Sequence, residues 1–247
     1  MVIDFHTHTF PDKIAEKTIA TLEKTGGVPA HRNGTVSSLL ESMERSGVDI
    51  SVVLPVATSP RQVPTINRVS YELNRKNNLY FSGAIHPDCE DVEGILDEIK
   101  AHGLFGIKLH PDYQGVYFND DRYLRILTEA AKRDLYILTH AGRDVAFPND
   151  IHCTPDHVLD VLRQTGDLLN GKLILAHMGA CEQPREVLEK LVGRDIYFDT
   201  AFVLDRYIPE VKEIIRLHGA DKILFATDTP WGDQKHFVEV FKTLCLD

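Results

Sequence analysis

The run Val2–Thr9, V-I-D-F-H-T-H-T, decides how the chain is read. In an extended strand, residues i and i+2 point to the same side. His6 and His8 therefore project together, one strand step apart. That placement suits two imidazoles converging on one metal ion. His-X-His is a short pattern that also arises by chance, so the reading rests on what the other strands supply.

A chain of 247 residues has the size of one (β/α)8 barrel, about 250 residues. The hydrophobic content of 43% is ordinary for a globular protein. A net charge of −10 argues against a nucleic-acid footprint or an anionic membrane surface. It leaves room for a small anionic substrate held by a local arginine. Cys89, Cys153, Cys181 and Cys245 form no Cys-X-X-Cys and no disulfide framework, as expected of free thiols in a reducing cytoplasm. No secretory signal is visible. No apolar run approaches the roughly 20 residues that span a bilayer.

Outward from the first run, short apolar stretches alternate with amphipathic ones. Strands are expected at Val2–Phe5, Ile50–Val56, Leu79–Ile85, Leu104–Leu109, Leu135–His140, Lys172–His177, Asp195–Asp199 and Lys222–Asp228. Near-continuous apolar runs such as Ile50–Val56 are typical of parallel strands buried on both faces. Helices are expected at Pro11–Lys24, Val36–Arg45, Pro64–Asn77, Val92–His102, Arg122–Arg133, Pro155–Thr165, Pro184–Val192, Pro209–His218 and Gln234–Leu246. A longer loop, Ala141–Thr154, follows the fifth strand. Eight strand–helix alternations with no linker between them favour one closed barrel over residues 1–247. An open sheet would show a glycine-rich first turn, whereas T-H-T-F-P-D has none. The chain stops nineteen residues after Asp228, short for a barrel tail, which leaves a truncation open.

In such a barrel the active site lies where the strands end. Those ends carry His6 and His8, His86, Lys108 and His110, His140, His177 and Asp228. A lone histidine ending an apolar strand is usually a hydrogen-bonded core residue. Six of the twelve histidines gathered at one rim call for another explanation.

The motifs F-H-T-H at 5–8, G-I-K-L-H-P at 106–111, T-H-A-G at 139–142, L-A-H-M-G at 175–179 and F-A-T-D-T-P at 225–230 resemble the amidohydrolase superfamily. More narrowly, they resemble its amidohydrolase-related branch of metal-dependent decarboxylases and hydrolases of small acids. The resemblance implies a metal held by His6, His8, His140 and Asp228. It implies that Asp228 also moves protons and that His177 positions water or substrate. In relatives with two metals the residue matching Lys108 is often carboxylated and bridges them, and the one matching His177 binds the second ion. G-I-K-L-H-P also resembles the single-metal branch, so one ion is expected. Three imidazoles and one carboxylate suit Zn²⁺, and Mn²⁺, Fe²⁺, Co²⁺ or Ni²⁺ are compatible.

Around that set, Lys108, His110 and Arg143 are expected to face substrate. Arg143 would clamp a carboxylate, or else pair with Asp144 or Asp150 in its own loop. Lys108 has the alternative of pairing with a buried carboxylate such as Asp4. Trp231 and Tyr113 would wall the pocket or simply pack, and Asp199 would support the ligands from behind. The reaction expected is hydrolysis of a C–N or C–O bond in a small molecule by metal-activated water. The alternative is decarboxylation or hydration of a small unsaturated acid on the same barrel. D-F-H-T-H-T also resembles the start of polymerase-and-histidinol-phosphatase domains, but their additional His and Glu ligands are not evident. A cytoplasmic enzyme with a small-molecule substrate is expected, with homo-oligomerisation left open.

Overall fold

The computed structural model describes residues 1–244. Nine strand segments run β1 Ile3–Thr7, β2 Ile50–Val53, β3 Leu79–Phe81, β4 Gly83–Ala84, β5 Gly106–Leu109, β6 Tyr136–Thr139, β7 Leu173–Leu175, β8 Tyr197–Asp199 and β9 Ile223–Leu224. Every ladder is parallel, in the orders β1-β2-β3 and β4-β5-β6-β7-β8-β9. The expected third strand, Leu79–Ile85, is thus split in two. At Ser82 the backbone N–H donates to Val53 O at 3.0 Å, and beyond it the chain pairs with β5 instead of β2.

The two ladders close on each other past the end of β9. Phe5 N–H donates to Phe225 O (2.9 Å), Asp228 N–H to His6 O (2.9 Å) and His8 N–H to Thr229 O (2.6 Å). A parallel bridge joins Thr7 to Thr229. The result is a (β/α)8 barrel with its third strand in two pieces. Regular pairing on the eighth strand is shorter than the expected Lys222–Asp228. Its upper half bonds through side chains, as where Ala226 N–H donates to Thr200 Oγ1.

Alternation along the strands sorts residues into two apolar layers. Val53, Phe81, Ile107, Ile137, Leu175 and Phe198 belong to the main core between strands and helices. Val52, Leu54, Leu138, Ile174 and Ala176 form a separate cluster that fills the barrel. The helices are α1 Asp12–Gly26, α2 Val36–Ser46, α3 Val63–Leu73, α4 Val92–Ala101, α5 Pro111–Gln114, α6 Asp121–Lys132, α7 Pro155–Thr165, α8 Pro184–Lys190, α9 Ile208–His218 and α10 Gln234–Thr243. The sixth shows the logic. Asp120 caps it by accepting from Arg122 N–H, and Tyr123, Ile126, Leu127, Ala130 and Ala131 bury one stripe at helical spacing. Only α5, one turn after β5, was not expected. The last helix is described to Thr243, and its expected end at Leu246, like Cys245, lies outside the described residues. Among the described residues no helix is long and apolar enough to cross a membrane.

Candidate metal centre

The rim of the barrel is polar yet largely buried. His6 and Lys108 are 1% exposed and Asp199 is fully buried. Each must therefore find its partners inside the protein.

Those partners fix the protons. His6 Nδ1 lies 2.8 Å from Asp199 Oδ2, and His8 Nδ1 lies 2.8 Å from the Leu54 carbonyl. A carbonyl only accepts, so His8 carries its proton on Nδ1. Asp199 imposes the same tautomer on His6. Neither Nε2 carries a proton, and the two stand 3.1 Å apart, that of His6 also meeting Lys108 Nζ. Asp228 Oδ1 lies 3.2 Å from His8 Nε2 and 3.5 Å from His6 Nε2. Two lone pairs and a carboxylate oxygen facing one another repel unless a cation lies between them. Two imidazoles and one carboxylate are also the donor set of open catalytic zinc sites. His6, His8 and Asp228 form one of two groups whose ligand atoms all lie within 4.8 Å of one another.

Titration follows the same environment. Burial holds His6 well below the usual histidine range and lowers His8, so both are neutral and fit to ligate. Burial raises the Asp228 carboxyl, but the imidazoles of His8, His6 and His177 more than offset this and bring it to about 2. Lys108 Nζ reaches His6 Nε2 at 3.1 Å. Burial pulls its ammonium down to about 8, against the attraction of Asp199 and Asp228. Asp4 is not its partner. It accepts from Thr227 Oγ1 (2.6 Å) and Gln234 Nε2 (2.7 Å), ties β1 to α10, and is pushed by burial to about 6.

Asp199 organises the floor. Beyond His6, its Oδ1 accepts from the N–H groups of His177 (2.9 Å) and Ala201 (3.0 Å). Two site residues hold left-handed backbones, His177 at φ 58° and Asp228 at φ 67°. Such conformations cost of order 1–3 kcal/mol each and persist where surrounding bonds impose them. Here the bonds are His177 N–H to Asp199 and Asp228 N–H to His6 O.

The other expected residues fall into place less uniformly. His177 Nδ1 meets the Ala201 carbonyl at 2.9 Å, and its Nε2 meets His140 Nδ1 at 2.9 Å. His140 is not in the group of His6, His8 and Asp228; its other nitrogen belongs to a second group with His110 and Asp144. Arg143 pairs with neither Asp144 nor Asp150 but with Glu182, at 2.5 Å, and is partly exposed. Trp231 meets the His8 ring edge-on at 5.7 Å, and Tyr113 meets His110 at 4.7 Å. His86 stands apart, its Nδ1 accepting from Asp88 N–H. Cys153 is fully buried, and burial drives its thiol well above the usual range, so it is inert. Asp112 escaped the sequence reading, although H-P-D directly follows the fourth-strand motif.

The loop after β6 needs one glycine. Gly142 has φ +83°, and a Cβ there would lie 2.0 Å from Cys181 N. This close approach locks the turn that carries Arg143 and Asp144 against the segment after β7.

The site and the barrel define the class of protein. The amidohydrolase family model matches residues 3–246, and the chain belongs to that family. Among solved structures it is similar in fold to 2,6-dihydroxybenzoate decarboxylase from Rhizobium, with TM-score 0.72, 17% identity, and coverage of 100% of this chain and 93% of that one. A dihydroxybenzoic acid decarboxylase from Polaromonas, with bound manganese and the inhibitor 2-nitroresorcinol, gives 0.73, 16%, 100% and 91%. A probable 2-pyrone-4,6-dicarboxylic acid hydrolase from Acinetobacter baumannii, with citric acid bound, gives 0.63, 15%, 100% and 92%. No curated protein sequence matches the chain.

Proposed function

We propose that the protein is a metal-dependent hydrolase of a small molecule, cleaving a C–N or C–O bond. The observation that carries this is the pair of unprotonated Nε2 atoms of His6 and His8, 3.1 Å apart, beside the Asp228 carboxylate. His6, His8 and Asp228 would hold one divalent cation, for which Zn²⁺ is the first candidate. Bound there, it supplies Lewis acidity and lowers the pKa of adjacent water toward about 7. With the ion in place, Asp228 would take up a proton and deliver it to the leaving group. The His177–His140 pair would stand beside it and help position the substrate. Trp231 and Tyr113 wall the pocket.

The second reading is decarboxylation of a small acid. It is favoured by Lys108, whose buried Nζ beside His6 offers positive charge to a substrate carboxylate. Arg143, tied to Glu182, supplies less of that charge than the sequence suggested. The experiment is metal analysis of the purified chain together with a panel of lactones, amides and carboxylic acids. Asp228→Asn is expected to lower turnover roughly 10²–10⁴-fold, the usual range for loss of a general acid–base group. Hydrolysis products support the first reading. Carbon dioxide release without hydrolysis overturns it for the second. A metal-free chain overturns both.

A further inference from the structure

The side chains of His6, His8 and Asp228 are only 1%, 15% and 16% exposed. A substrate reaches them only past whatever covers the rim. Between β1 and α2 the chain leaves the barrel, and α1 lies in this excursion. Phe10 N–H donates to Gly34 O at 2.8 Å and closes the excursion at its neck. On the return, His31 N–H donates to Pro230 O at 2.8 Å. Both anchors stand near the strand ends that carry His8 and Asp228. At the far end of α1, a Cβ added to Gly26 would lie 3.0 Å from Val145 Cγ2. Val145 belongs to the loop after β6. Counted round the closed barrel, β1 is the first strand and β6 the fifth of eight, so they stand on opposite sides. A helix of 15 residues is about 22 Å long. The excursion therefore crosses the rim from one side to the other.

It is fastened lightly. No side chain caps the N-terminus of α1, and only Ala15 and Ile19 are buried on it. By contrast, α6 buries Tyr123, Ile126, Leu127, Ala130 and Ala131. Ile19 rests on the excursion's own neck: a Cβ on Gly34 would lie 2.9 Å from Ile19 Cδ1 and 3.0 Å from Phe10 Cδ2. The helix carries Asp12, Lys13, Glu16, Lys17, Glu23 and Lys24. Yet among the described residues no hydrogen bond or ion pair joins it to anything outside residues 10–34; its side-chain bonds run to Lys17 O, Thr21 O and Ala30 N–H. At the far end it has the apolar touch of Val145, which is itself 40% exposed. A helix of this length is marginal by itself, and elements with few buried contacts open locally at low cost.

We propose that residues 10–34 are a lid over the metal centre. It is hinged at the Phe10–Gly34 neck, latched where Gly26 meets Val145, and opens as a unit to admit substrate and ion. The inference rests on the proposed function only for what lies beneath the lid.

The test combines Gly26→Cys with Val145→Cys in the full chain. The contact leaves the two Cβ atoms no more than about 4.5 Å apart, within reach of a disulfide. Oxidised glutathione closes the bond, dithiothreitol opens it, and wild type carries the native thiols through the same treatment. Hydrogen exchange needs no metal. In wild type and in the reduced pair, amides of residues 12–26 should exchange roughly tenfold faster than those of α6, and the disulfide should remove most of that difference. Loss of Zn²⁺ from the loaded chain to excess chelator should slow roughly tenfold on oxidation and recover on reduction. Val145→Asp, whose charge the C-terminus of α1 repels, should speed both processes and decides the matter if the double variant does not fold. A folded pair that does not oxidise, residues 12–26 as protected as α6, or a Val145→Asp chain that behaves as wild type overturns the latched lid. Zn²⁺ loss indifferent to the disulfide overturns its place over the centre. A chain that binds no metal overturns the proposed function, and hydrogen exchange then decides the lid alone.

Discussion

Tyr136, Leu138 and His140 share one face of β6 and its extension, yet they meet three environments. Tyr136 is 42% exposed at the mouth where the strands begin, Leu138 is 1% exposed within the barrel, and His140 is 6% exposed at the rim. The same gradient recurs around the sheet. The mouth is an apolar cavity of about 420 Å³ lined by residues such as Ile3, Tyr80, Phe105 and Tyr197. The rim holds imidazoles, carboxylates and an ammonium. Burial is inverted relative to polarity: several of the mouth's apolar side chains are more than a third exposed, while the rim's polar groups are largely buried. Apolar residues at the mouth lose little by partial exposure. Polar groups at the rim tolerate burial where a fixed partner meets them, as Asp199 meets His6.

The sharpest way to break that comparison is to truncate the same face at two depths. Leu138→Ala removes a side chain from the closed inner cluster, where neighbours cannot collapse into the space. It should cost about 2–5 kcal/mol. Tyr136→Ala, two residues earlier, should cost less than about 1 kcal/mol, since half of its ring already meets water. Denaturant titration measures both. Equal costs would mean that the mouth is as tightly built as the middle.

At the rim the test is a change of one atom. Asp199→Asn keeps an oxygen for the N–H groups of His177 and Ala201 but turns an NH₂ toward His6 Nδ1. Two donors then face each other, and His6 escapes by moving its proton to Nε2. That nitrogen would no longer present a lone pair to a cation. Affinity for Zn²⁺ should fall roughly 10–100-fold, as is usual when the group orienting a ligating histidine is lost. Calorimetric titration reads this directly. Unchanged affinity would show that Asp199 does not set the tautomer.

The difference between the ends also explains what the sequence discloses. Strand order, the barrel and the histidines at strand ends are legible because alternation and chain sense are local properties. His6 and His8 needed only the period of a strand. Asp112 and Asp144 were opaque because their significance lies in facing His110 and His140 across two loops, which no local period encodes. The partner of Arg143 was hidden for the same reason, since Glu182 lies 39 positions away. The third strand reads as one run, because its break at Ser82 is a change of partner and not of residue character.

His218 is the mouth end's own buried histidine, and it makes the smallest and most discriminating prediction. It stacks on Phe198 at 4.1 Å beneath β8. Its Nδ1 accepts from Gly193 N–H (3.1 Å) and its Nε2–H donates to Ile196 O (2.9 Å). Both nitrogens are satisfied, so it has nothing to offer a metal. Burial lowers its pKa below 6.5. Between that lowered value and 6.5 the native state binds fewer protons than the unfolded chain. Its contribution to stability is therefore complete above pH 6.5 and is lost as pH falls toward the folded value. Protonation of Nδ1 would also turn the Gly193 contact into donor against donor. His218→Gln, which keeps one acceptor and one donor, should flatten the fall in melting temperature between pH 7.5 and 5. Zn²⁺ should leave that difference unchanged, whereas acid-lability arising at the rim should respond to the ion. Superimposed pH profiles of wild type and variant would show that the mouth histidine is not held neutral by its packing.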